Sequence, residues 1–377
     1  MSDATPARRL PKRDFLLIPL ISLLTVIVML AGAEVTARAV WPEEKGDTCM
    51  VRDPLVRARP RANCVSRMKA AEGPWVENRY NACGYRSGGD CTARPPKSPR
   101  LVVMGASTSW GYLVPYGQTW STRAAQALSA RCGAPVDVQS LSGYPNLNED
   151  ALRVPEAVAL DPRLVVLVVT PFDLMEAPEG GFNPIPVKPA ARPQAGAAKP
   201  QGIAAIRGLL ASSRAMFMAQ HYLFQNGPVY VSMYLRYGDK AAFLRPPFTP
   251  AWQARLAYVD GAVGFISGKL AAAHVPFAVM YVPQQAQATL TATGQAPPGV
   301  VPTALSQAIG DIARRHGAGF IDVNAQFRGV KDPEAYFYNA DGHPNAHGHE
   351  LIARAAAAAM GQPGGQASIC TPREGSL

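Results

Sequence analysis

The sequence predicts an α/β fold built on a parallel sheet, from three observations. Short runs such as Leu101-Val102-Val103-Met104 and Leu164–Val169 are apolar at every position, as strands covered on both faces are. Segments of helical length and period separate them. Turn residues follow the runs, with Ser107, Gly143, Asp173 and Pro283 each just past a predicted strand end, where such sheets bind ligands. A sheet covered on both sides implies a three-layer α/β/α architecture of flavodoxin-like type, with about five strands and an additional N-terminal membrane helix.

The N-terminal element is the 19-residue uncharged run from Phe15 to Ala33, preceded by Arg8, Arg9, Lys12 and Arg13. It reads as a single-pass anchor, with cleavage at Ala31-Gly32-Ala33 and secretion as the alternative. The basic flank, residues 1–14, stays in the cytoplasm under the positive-inside rule, placing the remainder outside the inner membrane, in the periplasm. Residues 34–99 read as an irregular, disulfide-stapled segment without a core of its own. Its Arg52, Arg57, Arg59, Arg61, Arg67 and Lys69 read as a solvated basic surface; contact with anionic lipid or an acidic polymer is the alternative.

The main domain spans residues 100–360. Its strands are 101–104, 136–141, 164–169, 277–282 and 320–323, and its helices 120–130, 149–160, 252–273 and 303–316. An insertion, 175–250, interrupts the alternation. Residues 177–202 within it are rich in Pro, Ala and Gly and read as a flexible loop, followed by a helix over 203–224. The insertion is either a lid beside the site or a packed excursion. Residues 361–377 form a tail.

Composition narrows the function. The net charge of +10 is concentrated in residues 1–100, where 17 Lys/Arg face 10 Asp/Glu; the rest holds 20 against 17. That distribution, and the absence of any nucleic-acid-binding motif, argue against a nucleic-acid partner. Six cysteines, Cys49, Cys64, Cys83, Cys91, Cys132 and Cys370, occur with no C-x-x-C pair, so disulfides are favoured over zinc. Nearest-neighbour pairing gives Cys49–Cys64, Cys83–Cys91 and Cys132–Cys370, one of 15 connectivities.

Two motifs carry the chemistry. Gly105-Ala106-Ser107-Thr108-Ser109-Trp110-Gly111 follows the first strand of the main domain, and a serine on such a turn can expose its hydroxyl. Asp341-Gly342-His343-Pro344-Asn345 precedes a helix containing Leu351-Ile352-Ala353. There His343 can act as general base on Ser107, oriented by Asp341. A metal site on His343, His347 and His349 is disfavoured because no second carboxylate joins the cluster. No cofactor is implied. Asp173 reads as structural support, bonding the Ser107 turn.

On these residues the chain resembles the SGNH hydrolase superfamily, the GDSL esterases, over about residues 78–360. GASTSWG is similar to the family's G-D-S-x-x-x-G block with Ala106 in place of the aspartate. Tyr112-Leu113-Val114-Pro115 and Thr119-Trp120 resemble membrane-anchored members, and Asn81-Ala82-Cys83-Gly84-Tyr85-Arg86 resembles their approach segment. The resemblance implies a covalent serine esterase mechanism, with the backbone N–H groups of Ser107 and Gly143 as the oxyanion hole. Two departures stand out. Thr170-Pro171-Phe172-Asp173 replaces the family's G-x-N-D, so Phe172 stands where an asparagine donor should be, with Asn146 or Asn148 as substitutes. Asp341 precedes His343 by two residues rather than three. The expected activity is O-acyl ester hydrolysis on envelope carbohydrate or lipid; acyl transfer, or a catalytically weakened polymer-binding protein, are the alternatives.

Overall fold

The structure, a computed structural model, describes residues 11, 13–41, 44–93, 97–144, 146–186 and 212–370. The chain divides into two compact units, residues 1–43 with 198–220, and residues 44–197 with 221–377.

In the first unit the helix Asp14–Val40 has 27 residues, a mean hydropathy of 2.6 in its apolar window, and no buried residue in that window. At about 40 Å it exceeds the roughly 30 Å hydrocarbon core of a bilayer. Among the described residues it is the one helix long and apolar enough to cross a membrane. Near its end, Glu34 accepts from Ser213 Oγ at 2.8 Å and from the Arg214 and Ala215 N–H groups at 3.1 Å. A carboxylate thus meets the opening N–H groups of the helix Arg214–Leu223. Arg8, Arg9, Lys12, residues 187–202 of the expected loop and 203–211 of the expected helix lie outside the described residues. So do residues 371–377 of the expected tail.

The second unit begins with strands where irregular chain is expected. β1 (Met50–Arg52) pairs antiparallel with β2 (Ala58–Pro60), and β3 (Val65–Met68) with β4 (Val76–Arg79). The inward residues of β3 and β4 alternate polar and apolar, because Ser66 and Asn78 are buried alongside Met68 and Val76. Asp47 holds the polar pair, accepting from Ser66 Oγ and Asn78 Nδ2 at 2.8 Å and from Tyr80 Oη at 2.6 Å. A hydrophobic-periodicity reading cannot see such a face. The segment's basic residues are in good part paired. Arg59 meets Asp53 at 2.6 Å and Glu156 at 3.2 Å, Arg57 meets Glu149 at 3.8 Å, and Lys69 Nζ donates to the Ala70 and Gly73 carbonyls. The disulfides are Cys49–Cys64, Cys83–Cys91 and Cys132–Cys370.

The central sheet is fully parallel: β5 (Arg100–Met104), β6 (Asp137–Ser140), β7 (Leu164–Val169), β8 (Phe277–Tyr281) and β9 (Gly319–Asp322), in the order β6-β5-β7-β8-β9. This is the 2-1-3-4-5 order of a flavodoxin-like fold. Alternate residues face opposite layers. Val102, Met104, Val165 and Leu167 pack against the helices Leu147–Leu152, Val154–Ala159, Pro250–Ala272 and Ala304–Arg315. Leu101, Val103, Val166 and Val168 pack against Trp120–Cys132 and Ala346–Met360. The expected helix 149–160 is two short helices broken at Arg153, and the helix Gln285–Thr293 after β8 was not anticipated. Among the described insertion residues from 221 on, Val231, Tyr234, Phe243 and Leu244 lie in the core.

Candidate active site

The turn that carries Ser107 is shaped by what a side chain would collide with. Gly105 follows β5 at φ +120°, and a Cβ there would lie 2.6 Å from the Val168 carbonyl oxygen of β7. Only glycine passes so close. Ser107 then opens the short helix Ser107–Trp110, which ends at Gly111 with φ +79°. Arg86, buried, holds the far end: its guanidinium donates to the carbonyls of Trp110, Gly111 and Val114 at 2.7–2.9 Å. It also lies over the Trp110 ring. The approach segment thereby secures the orientation of the serine turn.

The second motif is built around Asn345. Its Oδ1 caps the helix Ala346–Met360 by accepting from the His347 and Gly348 N–H groups, while its Nδ2 donates to the Ala335 and Phe337 carbonyls. Gly348 is required because a Cβ would sit 2.3 Å from the Tyr336 carbonyl oxygen. These contacts fix the loop that carries Asp341 and His343.

The two motifs meet. His343 Nε2 lies 2.7 Å from Ser107 Oγ, and His343 Nδ1 lies 2.5 Å from Asp341 Oδ1. The Nδ1–H donates to the carboxylate, so the neutral ring presents its Nε2 lone pair to the serine hydroxyl. The same Asp341 Oδ1 also accepts the His343 backbone N–H at 3.2 Å. A spacing of two residues therefore suffices, because a local turn brings the carboxylate to both groups. The Tyr112 ring packs against the imidazole at 4.8 Å between centroids.

Three expected roles are corrected. The Gly143 N–H donates to the Gly105 carbonyl at 2.8 Å, so in this arrangement it is not free to bind an oxyanion. The Asn146 side chain is the cap of the helix Leu147–Leu152. Its Oδ1 accepts from the Asn148 N–H and from Tyr258 Oη, and its Nδ2 reaches Glu149 at 3.5 Å. The Asn148 Oδ1 accepts from the Asn183 N–H, a bond that does not involve its Nδ2 donor. Asp173 does not bond the serine turn; it forms a capping box with Thr170. The Ser107 N–H, at the opening of a helix, is outside that helix's hydrogen-bond ladder. Phe172 is 43% exposed.

Two carboxylates that the motifs do not mark support the site. Asp150, buried, accepts the Gly105 N–H at 3.0 Å and so takes the role expected of Asp173. Burial, with Asp173 as a like-charged neighbour, pushes its carboxyl up to about 7, and burial pushes Asp173 up to about 6. Glu72, also buried, comes from the hairpin segment. Its Oε2 accepts the Ala340 and Asp341 N–H groups at 2.9 and 2.7 Å, and its Oε1 bonds His221 Nδ1. No sequence signal marks Glu72. Asp150 reads from sequence as an acidic residue in a helix's first turn.

The three histidines do not converge. His349 is buried with Nδ1 accepting the Trp120 N–H, and burial followed by the neighbouring Arg86 charge holds its pKa down to about 3. His347 is exposed. Among the described residues no group of three or more His, Cys, Asp or Glu is placed to hold a metal ion.

No family model and no curated protein matches the chain. It is similar to several solved structures. TesA is 15% identical with a TM-score of 0.37, over 68% of this chain and 95% of that one. A variant of Axe2, an acetyl xylan esterase from Geobacillus stearothermophilus, is 15% identical with a TM-score of 0.36, over 68% and 92%. A member of the lipolytic protein G-D-S-L family from Veillonella parvula is 12% identical with a TM-score of 0.35, over 69% and 96%. At these scores the likeness carries none of the functional argument, which rests on the geometry of Ser107, His343 and Asp341.

Proposed function

We propose that the chain is a membrane-anchored, extracytoplasmic serine O-acyl esterase of SGNH type. The observation that supports this best is the continuous relay from Ser107 Oγ through His343 to Asp341. In the proposed reaction Ser107 Oγ attacks the ester carbonyl as His343 Nε2 takes its proton. The imidazolium, stabilised by Asp341, returns that proton to the departing alcohol. Water, deprotonated by the same imidazole, then releases the acid from the acyl-serine. The Ser107 N–H donates to the oxyanion. The anchor reading rests on the apolar helix Asp14–Val40 behind a basic flank, and the export reading adds the three disulfides. The substrates are esters of envelope carbohydrate or lipid.

A fluorophosphonate probe tests the chemistry. It labels Ser107 in the wild type and fails to label Ser107→Ala or His343→Ala. An unlabelled but folded wild type overturns the reading.

The second reading, a weakened relative that binds an envelope polymer, is favoured by one observation: neither Phe172 nor the engaged Gly143 N–H supplies an oxyanion donor. One lost donor commonly costs roughly 100- to 1,000-fold in rate. Under the esterase reading, Phe172→Asn raises turnover if the new amide reaches the oxyanion. Absence of labelling together with tight polysaccharide binding selects the second reading.

A further inference from the structure

The cavity that opens at Ser107 has walls that belong to no part of the proton relay. Its volume is about 410 Å³, and the hairpin segment supplies one side of it through Met50, Pro60 and Met68. Trp110, Tyr112 and Tyr144 line it from the sheet-end loops. Met50 and Pro60 face each other across the β1–β2 pair, so their positions are fixed by strand register. The Cys49–Cys64 disulfide closes the chain around these strands.

The polar side chains in the lining mostly serve the protein. Asp47 accepts four hydrogen bonds, from the Cys49 N–H, Ser66, Asn78 and Tyr80. Lys69 Nζ donates to two carbonyls, and Ser142 Oγ bonds Ser140 Oγ at 2.9 Å. Lys45 is exposed. A sugar ring is recognised by several inward-facing polar groups. This cavity offers instead thioether, pyrrolidine and aromatic surface, which suits an alkyl chain.

Size points the same way. Taking about 30 Å³ per water-sized volume, 410 Å³ holds about fourteen non-hydrogen atoms. An acetyl group has three.

On the esterase reading above, the geometry points to an acyl-binding pocket for a medium-length alkyl chain of about eight carbons, with Met50 and Met68 setting its length. The substrate class is then an ester of a hydrophobic acid rather than an acetate. The reaction is the hydrolysis already written, with the alkyl chain held in the cavity and the alcohol leaving on the open side.

The test compares p-nitrophenyl acetate and p-nitrophenyl octanoate, the latter as monomer, with the full chain in lipid nanodiscs. Each buried methylene is worth about fourfold, so partial burial of six predicts a kcat/KM at least about tenfold higher for octanoate. Met50→Trp fills the cavity. It should lower the octanoate-to-acetate ratio of kcat/KM by at least about tenfold, with Ser107 still labelled. Preference for acetate by a labelled wild-type enzyme overturns the acyl pocket and leaves the esterase reading standing. An equal fall on both esters in Met50→Trp, with labelling intact, also overturns it. Loss of labelling and of both activities in the wild type overturns the esterase reading and the pocket with it.

Discussion

At the residue scale, the proposed relay requires Asp341 to hold one tautomer of His343. Its Oδ1 receives both the ring Nδ1–H and the backbone N–H. Asp341→Asn keeps a side-chain oxygen but offers an amide in place of the charge. The imidazole then loses the bias that leaves its Nε2 lone pair facing Ser107. The expected outcome is a fall in kcat/KM of about 10⁴, with fluorophosphonate labelling slowed in parallel and the melting temperature little changed. A fall of less than tenfold would mean that Asp341 has no part in the chemistry. Ser107, Asp341 and His343 were legible in the sequence because each sits in a short motif whose neighbours have local jobs: Gly105, Gly111, Asn345 and Gly348 meet steric or capping demands visible as residue types. Which N–H groups are engaged by the protein itself was not legible. Whether the Gly143 N–H is free depends on a partner 38 residues away, the Gly105 carbonyl. The Asn146 amide is taken by a helix cap and Glu149. Backbone pairing across a parallel sheet leaves no trace in side-chain identity.

At the element scale, supports from distant segments hold the loops of the candidate site. Glu72 is the clearest, bonding two consecutive N–H groups at the Asp341 loop. Glu72→Ala leaves both donors unpaired, and a displacement of about 1 Å costs about 100-fold. The expected result is a fall of that order in kcat, with Glu72→Gln, which keeps an acceptor, recovering most of it. Equal defects in the two variants would exclude the clamp. Asp150 has a pH signature. Its carboxyl is raised from 3.8 to about 7, so between these values the folded state binds more protons than the unfolded chain. Its contribution to stability therefore falls as pH rises through that window and levels off above about 7. His349, held down to about 3, gives the opposite slope between about 3 and 6.5. The difference between wild type and Asp150→Asn isolates the first: the variant should gain in relative melting temperature from pH 5 to pH 8. A pH-independent difference would reject the assignment. The strands β7 and β8 were readable because they are apolar at every position, and β6 because Val136 to Leu141 alternate. β3 and β4 were not, because their inward face carries Ser66 and Asn78 on a half-buried Asp47.

At the scale of the whole molecule, covalent closure and cellular location become one question. Cys132–Cys370 joins positions 238 apart in sequence, linking the helix Trp120–Cys132 to the segment after Ala346–Met360. Closing a loop of that length is worth up to about 5 kcal/mol in the chain-entropy model, and an eight-residue separation such as Cys83–Cys91 up to about 3. These terms exist only where disulfides persist, outside a reducing cytoplasm. The apolar helix Asp14–Val40 is the feature that would deliver the chain there. Removing residues 1–33 should therefore do more than release the protein from the membrane. The truncated chain should stay in the cytoplasm, where all six cysteines react with an alkylating agent added at lysis. It should melt at lower temperature and regain the difference when oxidised in vitro. The full chain from the same cells should sediment with membranes after carbonate washing and present no alkylatable thiol. Recovery of the full chain in the soluble exported fraction, with its thiols blocked, would replace the anchor with a cleaved signal. Six reactive thiols in the full chain would overturn export itself.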